Sequence, residues 1–258
     1  LVNVRAEVAE FGDVLDFGTL GLSSGELDGS LRVVGPINDP DLFGTLVLRE
    51  PRMNFDYIAG DLRAERAFLV FQEKELTLSP VSLLAATGSA DISGRFLLSR
   101  WTPEAYEVDV QTTGSLGIPL AYDFGSIAVD GLVQGQLSIQ GTPSSMDMSG
   151  DVTAASMAVT LSTQEEVEAE ADEAFDVSIN LNIVAGSNVE FFWPSVAVPV
   201  MRGLAEPGSE IDLFVDSAGE EFALVGNVDI QGGQIAYFDR SFYIREGRII
   251  FNEDEDDF

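Results

Sequence analysis

The stretch GELDGSLRVVG, Gly25–Gly35, returns as GLVQGQLSIQG, Gly131–Gly141. The two align without gaps: Gly29, Leu31, Val33, Gly35 and Gly44 correspond to Gly135, Leu137, Ile139, Gly141 and Gly150, every pair 106 positions apart, as 135 minus 29. A looser third copy is Gly226, Val228, Ile230 and Gly232. In each copy glycines bracket alternating aliphatics that share one face of a strand. Glycines so placed predict positions where the backbone turns sharply or a sheet bends strongly. Pro36 and Pro143 follow the closing glycines and are expected to end the strands.

The same period of two runs outward from these copies. Leu46 and Leu48, Leu76 and Leu78, Val108 and Val110, the series Ile179, Leu181, Ile183, and Ile249 all alternate with polar or small residues. On the order of 15 such runs predict half-buried strands of about five to eight residues. Gly, Asn-Asp-Pro, Pro-Ser-Ser and Glu-Lys-Glu turns bound them. A helical period occurs in one place, QEEVEAEADEA at Gln164–Ala174, which has no apolar face wide enough to dock. It is expected to be an unstructured acidic insertion or weak helix. The fold class expected is therefore all-β, an elongated, curled antiparallel sheet forming a groove, built from repeated hairpin units and continuous over 1–258. An opening that already alternates, LVNVRAEVAEF, suggests a piece of a longer protein.

Charge and composition exclude several functions. The chain has 13 Lys and Arg against 44 Asp and Glu, a formal charge of -31. That charge repels phosphate backbones, so no nucleic-acid partner is expected. Hydrophobic residues still make up 45%; apolar and acidic side chains must be segregated onto different faces for such a chain to fold. Cysteine and histidine are absent, which removes thiolate chemistry, the usual zinc ligand and the base of a serine triad. GLSSG, Gly21–Gly25, matches a nucleophile elbow but has no histidine to work with. The single lysine, Lys74, has Phe71 three residues before it where a serine-lysine mechanism would need serine. The acidic tail NEDEDDF, Asn252–Phe258, lacks the turn glycine and spacing of a calcium loop. No enzyme activity, metal or cofactor is expected. No run of about 18 apolar residues is present to cross a membrane as a helix.

A long sheet with one apolar face needs a cover, and no amphipathic helix is available. A second packed sheet, closure into a barrel, or a trough filled by a ligand would each satisfy it.

The C-terminal run GNVDIQGGQIAYFDRSFYIREGRIIFNEDEDDF, Gly226–Phe258, resembles the C-terminal segment of the TamB family of translocation and assembly modules. The G-x-I-x-Y-F-x-R-x-F-x-I-x-x-G-x-I-x-F pattern is carried by Gly233, Ile235, Tyr237, Phe238, Arg240, Phe242, Ile244, Gly247, Ile249 and Phe251. VEFFWP, Val189–Pro194, and the upstream glycine-proline strings are similar to the same family, while the acidic insertion departs from its pattern. The resemblance implies an AsmA-like, bridge-like lipid-transfer fold curled like a taco around an apolar groove. It further implies a periplasmic location, an inner-membrane anchor outside this segment, phospholipid as the partner, and an outer-membrane β-barrel assembly protein as a second one.

Physical chemistry makes a lipid groove coherent. Carrying a bare acyl chain of roughly 16 carbons through water would cost on the order of 12 kcal/mol, at about 0.8 kcal/mol per methylene. At about 4.8 Å per strand, some 15 strands would line roughly 70 Å of groove. The lining expected is Leu31, Val33, Leu46, Leu48, Leu137, Ile139, Val228, Ile230, Phe242, Ile244, Ile249 and Phe251, against which stands the plainer assignment of core residues in a closed sandwich. Phe191, Phe192 and Trp193 cannot all face one side of a strand; packing at a sheet corner or a mouth of the groove would each explain them. A different class of function stays open as well, a β-rich interaction or chaperone-like module that captures client strands at a sheet edge.

Overall fold

The computed structural model describes residues 2–7, 20–55, 58, 60–123, 127–162, 175–219, 221–238 and 240–253. The acidic insertion at 164–174 and the last five residues of the tail lie outside them. The described chain is all-β: a large, mixed, mostly antiparallel sheet of eighteen strands. In chain order these are β1 (Val2–Glu7), β2 (Leu20–Val34), β3 (Asp41–Phe55), β4 (Leu62–Arg63), β5 (Arg66–Glu73), β6 (Glu75–Leu84), β7 (Ser89–Ser99), β8 (Thr102–Thr113) and β9 (Ile118–Asp123). They continue with β10 (Ile127–Thr142), β11 (Ser145–Leu161), β12 (Asp176–Ala185), β13 (Val189–Trp193), β14 (Met201–Ala205), β15 (Glu210–Asp216), β16 (Glu221–Tyr237), β17 (Arg240–Ile244) and β18 (Gly247–Glu253). Two compact units divide the chain: Leu1–Ile118 with Gln136–Asp147, and Pro119–Gly135 with Met148–Phe258.

Several strands are two to three times longer than the short runs expected, because they pass through their glycines instead of ending there. β2 and β3 have 15 residues each, β11 and β16 have 17. What breaks the alternation is local rephasing. One face of β3 carries Leu42, Leu46 and Leu48, then Pro51, Met53 and Phe55, and the switch falls at Glu50, whose φ is 46°. In β2 the matching switch separates Leu22 from Leu27, and the β2–β3 register shifts there. Ser79 and Pro80 do the same between Leu78 and Val81 of β6, as does Ser156 (φ 46°) between Ala154 and Met157 of β11. Each bulge returns the later of these apolar side chains to the face used by the earlier ones.

The recurring glycines answer to a common requirement. Gly29, Gly135 and Gly226 have φ of 154°, 154° and 148°, a region that only glycine occupies comfortably. A Cβ at each would run into a backbone carbonyl of the adjoining strand, that of Thr45, Asp151 and Glu210 respectively. The repeat thus conserves a backbone conformation inside a strand. Pro36 and Pro143 do follow strand ends, those of β2 and β10.

Candidate functional site

In the first unit, pairing of β1, β2, β3, β5, β6, β7, β8 and β10 brings apolar residues into register across eight strands. One row reads Val4, Gly29, Leu46, Leu69, Leu78, Gly94, Val108, Ile139. A neighbouring row runs from Val2 through Leu31, Gly44, Phe71, Leu76, Phe96 and Tyr106 to Gly141. The row on the opposite face, offset by one residue, is Asn3, Ser30, Thr45, Val70, Thr77, Arg95, Glu107, Gln140. Seven of its eight members are polar, whereas the rows flanking it on the same face also hold Phe43, Val47, Phe68 and Leu97, so the segregation is sharpest along this central row. Segregation of this kind reconciles the large negative charge with the high apolar content.

The apolar face is only partly withdrawn from water. Leu46 is 6% exposed, but Leu31, Leu48, Leu69, Leu78, Phe96, Val108, Leu137 and Ile139 are half-buried, and Val33 is 39% exposed. Inner faces of packed sandwiches interdigitate and are buried more completely than this. The unit's buried cluster, Leu62, Ala64, Ala67, Val81 and Leu83 with Leu48, Met53, Leu78 and Ile92 against it, comes largely from β3 to β7, which are hydrogen-bonded neighbours. Its members meet side by side across one face. The single polar group reaching into the rows, the Tyr106 hydroxyl, donates to the Ser145 carbonyl at 3.2 Å, and burial pushes its pKa up. Gly141 leaves room for it: a Cβ there would lie 2.8 Å from that hydroxyl.

In the second unit the remaining expected residues also share a face. Val228 pairs with Ile249, Gly226 with Phe251, Gly233 with Ile244 and Ile235 with Phe242. Their environments differ sharply. Val228 and Ile230 are 1% and 6% exposed and belong to a cluster with Ala154, Met157, Val189, Phe191 and Ala205, against which Ile244, Ile249 and Phe251 pack. Phe242 is 54% exposed. The first two are therefore packed against the chain's own side chains, while Phe242 is open.

The aromatic triplet resolves by alternation. Phe191 is buried in the cluster, and Trp193 pairs with Met201, in register with Ile235 and Phe242. Phe192 lies opposite Arg202, whose guanidinium sits 5.7 Å from the ring centre and is fixed by two 2.7 Å bonds to Glu190. That ion pair holds the Arg202 pKa above its ordinary value.

Sequence reasoning missed Leu69, Phe71, Ile92 and Phe96 as members of the face. The alternation of Leu69 with Phe71 within FLVFQ, and of Ile92 with Phe96 across Gly94, was the available signal. GLSSG lies within β2, away from any helix that a nucleophile elbow would need. Among the described residues no His, Cys, Asp and Glu group could hold a metal, and no helix is long and apolar enough to cross a membrane. Comparison of the chain with family models, with curated proteins and with solved structures returns no match.

Proposed function

We propose that the apolar faces of this sheet shield phospholipid acyl chains, and that the chain is a segment of a periplasmic conduit moving lipid between inner and outer membranes. One observation carries the reading: in the first unit eight registered strands present apolar rows most of whose members remain half-buried. Such rows would extend over about 35 Å at about 4.8 Å per strand. Leaving this much apolar surface wet is unfavourable by about 25 cal/mol per Å², and an acyl chain relieves that cost without any polar recognition. Conduction also requires even binding, since one tight site would trap lipid and one polar gap would stop it. Rows of Leu, Val, Ile and Phe, interrupted by glycine and by Tyr106 whose hydroxyl is bonded to the Ser145 carbonyl, supply that evenness. The resemblance of the C-terminal motif to TamB proteins supports the envelope setting and the direction of the proposal.

The test uses the alternation within β10. Ile139 pairs with Val108 on the apolar face, and Ser138 pairs with Asp109 on the wet one. A photoreactive residue at Ile139 is expected to label phospholipid in cells, and one at Ser138 to label none. Equal labelling from both positions, or none from either, ends the proposal. Solvent extraction of the purified chain followed by mass spectrometry should recover phospholipid. If strand capture is the real function, prolines placed in edge strands will damage activity more than Ile139→Glu does.

A further inference from the structure

The return leg of the β16–β17 hairpin is an open edge. β17 and β18 follow β16 in one register, from Tyr237 with Arg240 to Leu224 with Glu253, interrupted at Arg245 and Glu246. No register joins either strand to a further one among the described residues. Backbone N–H and C=O groups along such an edge are free to pair with another strand. The interruption shifts the alternation by one. Phe242 and Ile244 before it share a face with Ile249 and Phe251 after it, and the last three pack against the Val228 cluster. Tyr243 and Ile250 lie on the opposite face. Their rows there are polar: Tyr243 ends the row Arg202, Gln234, and Ile250 ends the row Glu210, Asn227. Tyr243 is 80% exposed and Ile250 67%, so two large apolar side chains stand at the rim of a polar face. The apolar tips of the neighbouring hairpins, Val198 and Phe238, 73% and 90% exposed, lie beyond this edge, joined by the Ala236 N–H donating to the Val200 carbonyl at 2.7 Å.

We propose that this edge pairs with the same edge of a second copy, β17 of one chain running antiparallel to the last five residues of β18 of the other about a two-fold axis between Glu246 and Gly247. The selecting observation is that the segment is its own complement. About that axis Phe242 meets Phe251 and Ile244 meets Ile249 on the apolar face, while Tyr243 meets Ile250 and Ser241 meets Asn252 on the polar one. Because the interruption reverses the alternation at the axis, both faces match at once. Few strands would satisfy that condition, and an isologous contact satisfies it twice over. A shift of one residue would set apolar rows against polar ones. A shift of two would set Phe242 or Phe251 against a charged residue. Tyr243 and Ile250, out of place on a polar face in one chain, become a cross-strand pair in two. Charge does not oppose the contact locally. Residues 239–253 hold three arginines and three acids, a neutral stretch in a chain of net charge -31, and the acids elsewhere are screened beyond about 8 Å. Arg245 does face Arg248 at the axis, but the Asp229 carboxylate already holds the Arg248 guanidinium at 2.6 Å. That opposition also falls at the interruption, outside the two blocks of paired residues. The inference does not depend on the groove carrying lipid, and its failure would leave that reading untouched.

The experiment uses the full chain, which has no cysteine of its own. Sedimentation equilibrium over a range of concentrations is expected to show a monomer–dimer equilibrium. Register is read by disulfides: Tyr243→Cys mixed with Ile250→Cys should cross-link on oxidation, since residues directly opposite have Cα atoms about 5 Å apart. Either variant alone should not, because like positions would be seven residues apart along the pair, roughly 23 Å at about 3.3 Å per residue. Tyr243→Lys with Ile250→Lys sets like charges opposite each other twice and should weaken the dimer about tenfold or more. Tyr243→Lys with Ile250→Glu should restore it. Both positions are too exposed for the fold to depend on them, and circular dichroism checks this. Val198→Glu with Phe238→Glu, at the tips beyond the edge, should leave the dimer unchanged. A chain that stays monomeric at every concentration leaves the edge to a strand of another protein and overturns the proposal. So would cross-linking of either cysteine variant alone as readily as the mixture, a dimer indifferent to the paired lysines, or a dimer lost with the tip substitutions.

Discussion

The two units solve the problem of a one-sided apolar sheet differently. In the first, apolar rows run across eight strands, the buried cluster is aliphatic, and the face stays half-wet. In the second, aromatic Phe191 and a fully buried Val228 anchor a deeper cluster, and β11 and β13 pair in parallel. Their hairpin ends differ too. In the first unit Lys74 binds the Asp39 carboxylate at 2.5 Å and the Asp39 and Pro40 carbonyls at 2.9 and 3.0 Å, tying the β5–β6 turn to the β2–β3 turn. The corresponding feature of the second unit is the exposed apolar pair of hairpin tips. Burial depth, and not hydrophobicity as such, is what separates the two faces.

The sharpest way to break that contrast is truncation. Phe191→Ala removes a 3% exposed ring and is expected to cost about 3–5 kcal/mol. Ile139→Ala, on the half-buried face, should cost about 1–2 kcal/mol, since part of its surface is already in water. Hydrogen exchange in each unit, with urea unfolding as the overall measure, reads both. Equal costs would mean that the first unit's face is an ordinary closed core.

Backbone geometry gives the next largest effect. Gly29→Ala places a Cβ against the Thr45 carbonyl at φ 154° and should destabilise by about 2 kcal/mol. Ser30→Ala, next door on the wet face, should stay within about 0.5 kcal/mol. The same test at Gly135 asks whether the second copy of the repeat follows the same rule. Similar small losses at Gly29 and Ser30 would remove the conformational reason for the repeat.

These two tests also mark how far the sequence could be read. Leu31 with Val33, Leu46 with Leu48 and Leu137 with Ile139 were legible as strand faces because a period of two survives within any stretch free of bulges. Strand length was not, since Glu50, Ser79 with Pro80, and Ser156 rephase the pattern and make one strand look like two. Periodicity reports which way a side chain points, but carries no information on what lies above it. For that reason Ile230 and Val33, which occupy the same position of the repeat, ended at 6% and 39% exposure. Phe238 and Val198 were illegible as a surface, because only the hydrogen bonding between their hairpins brings residues about 40 positions apart to one end.

The smallest effect sharpens the contrast between the hairpin ends through pH. The Asp39 carboxylate accepts bonds from Lys74 and from the Arg100 backbone N–H at 3.1 Å, and these hold its pKa below the ordinary aspartate value. Asp229, in the second unit, is lowered by the Arg248 guanidinium 2.6 Å away. A depressed carboxylate contributes stability above its unfolded pKa and loses it as pH falls through the folded one. Both contributions are therefore intact at neutral pH and fade as pH drops below about 4. Acidification over the range above that also reduces the net charge and its self-repulsion, so global stability is a poor readout of either group. Amide exchange at Arg100 isolates the first. Its protection should fall below about pH 4 in the natural chain, whereas Asp39→Asn should show weaker protection at neutral pH and no further acid-linked loss. Because both carboxylates remain partly exposed, at 44% and 45% of their side-chain surface, the changes should be modest and confined to their own turns or strands. Loss of protection at Arg100 spreading to Val108 and Ile139 would instead mean that the turn clamp, and not the register of the rows, holds the first unit's face open.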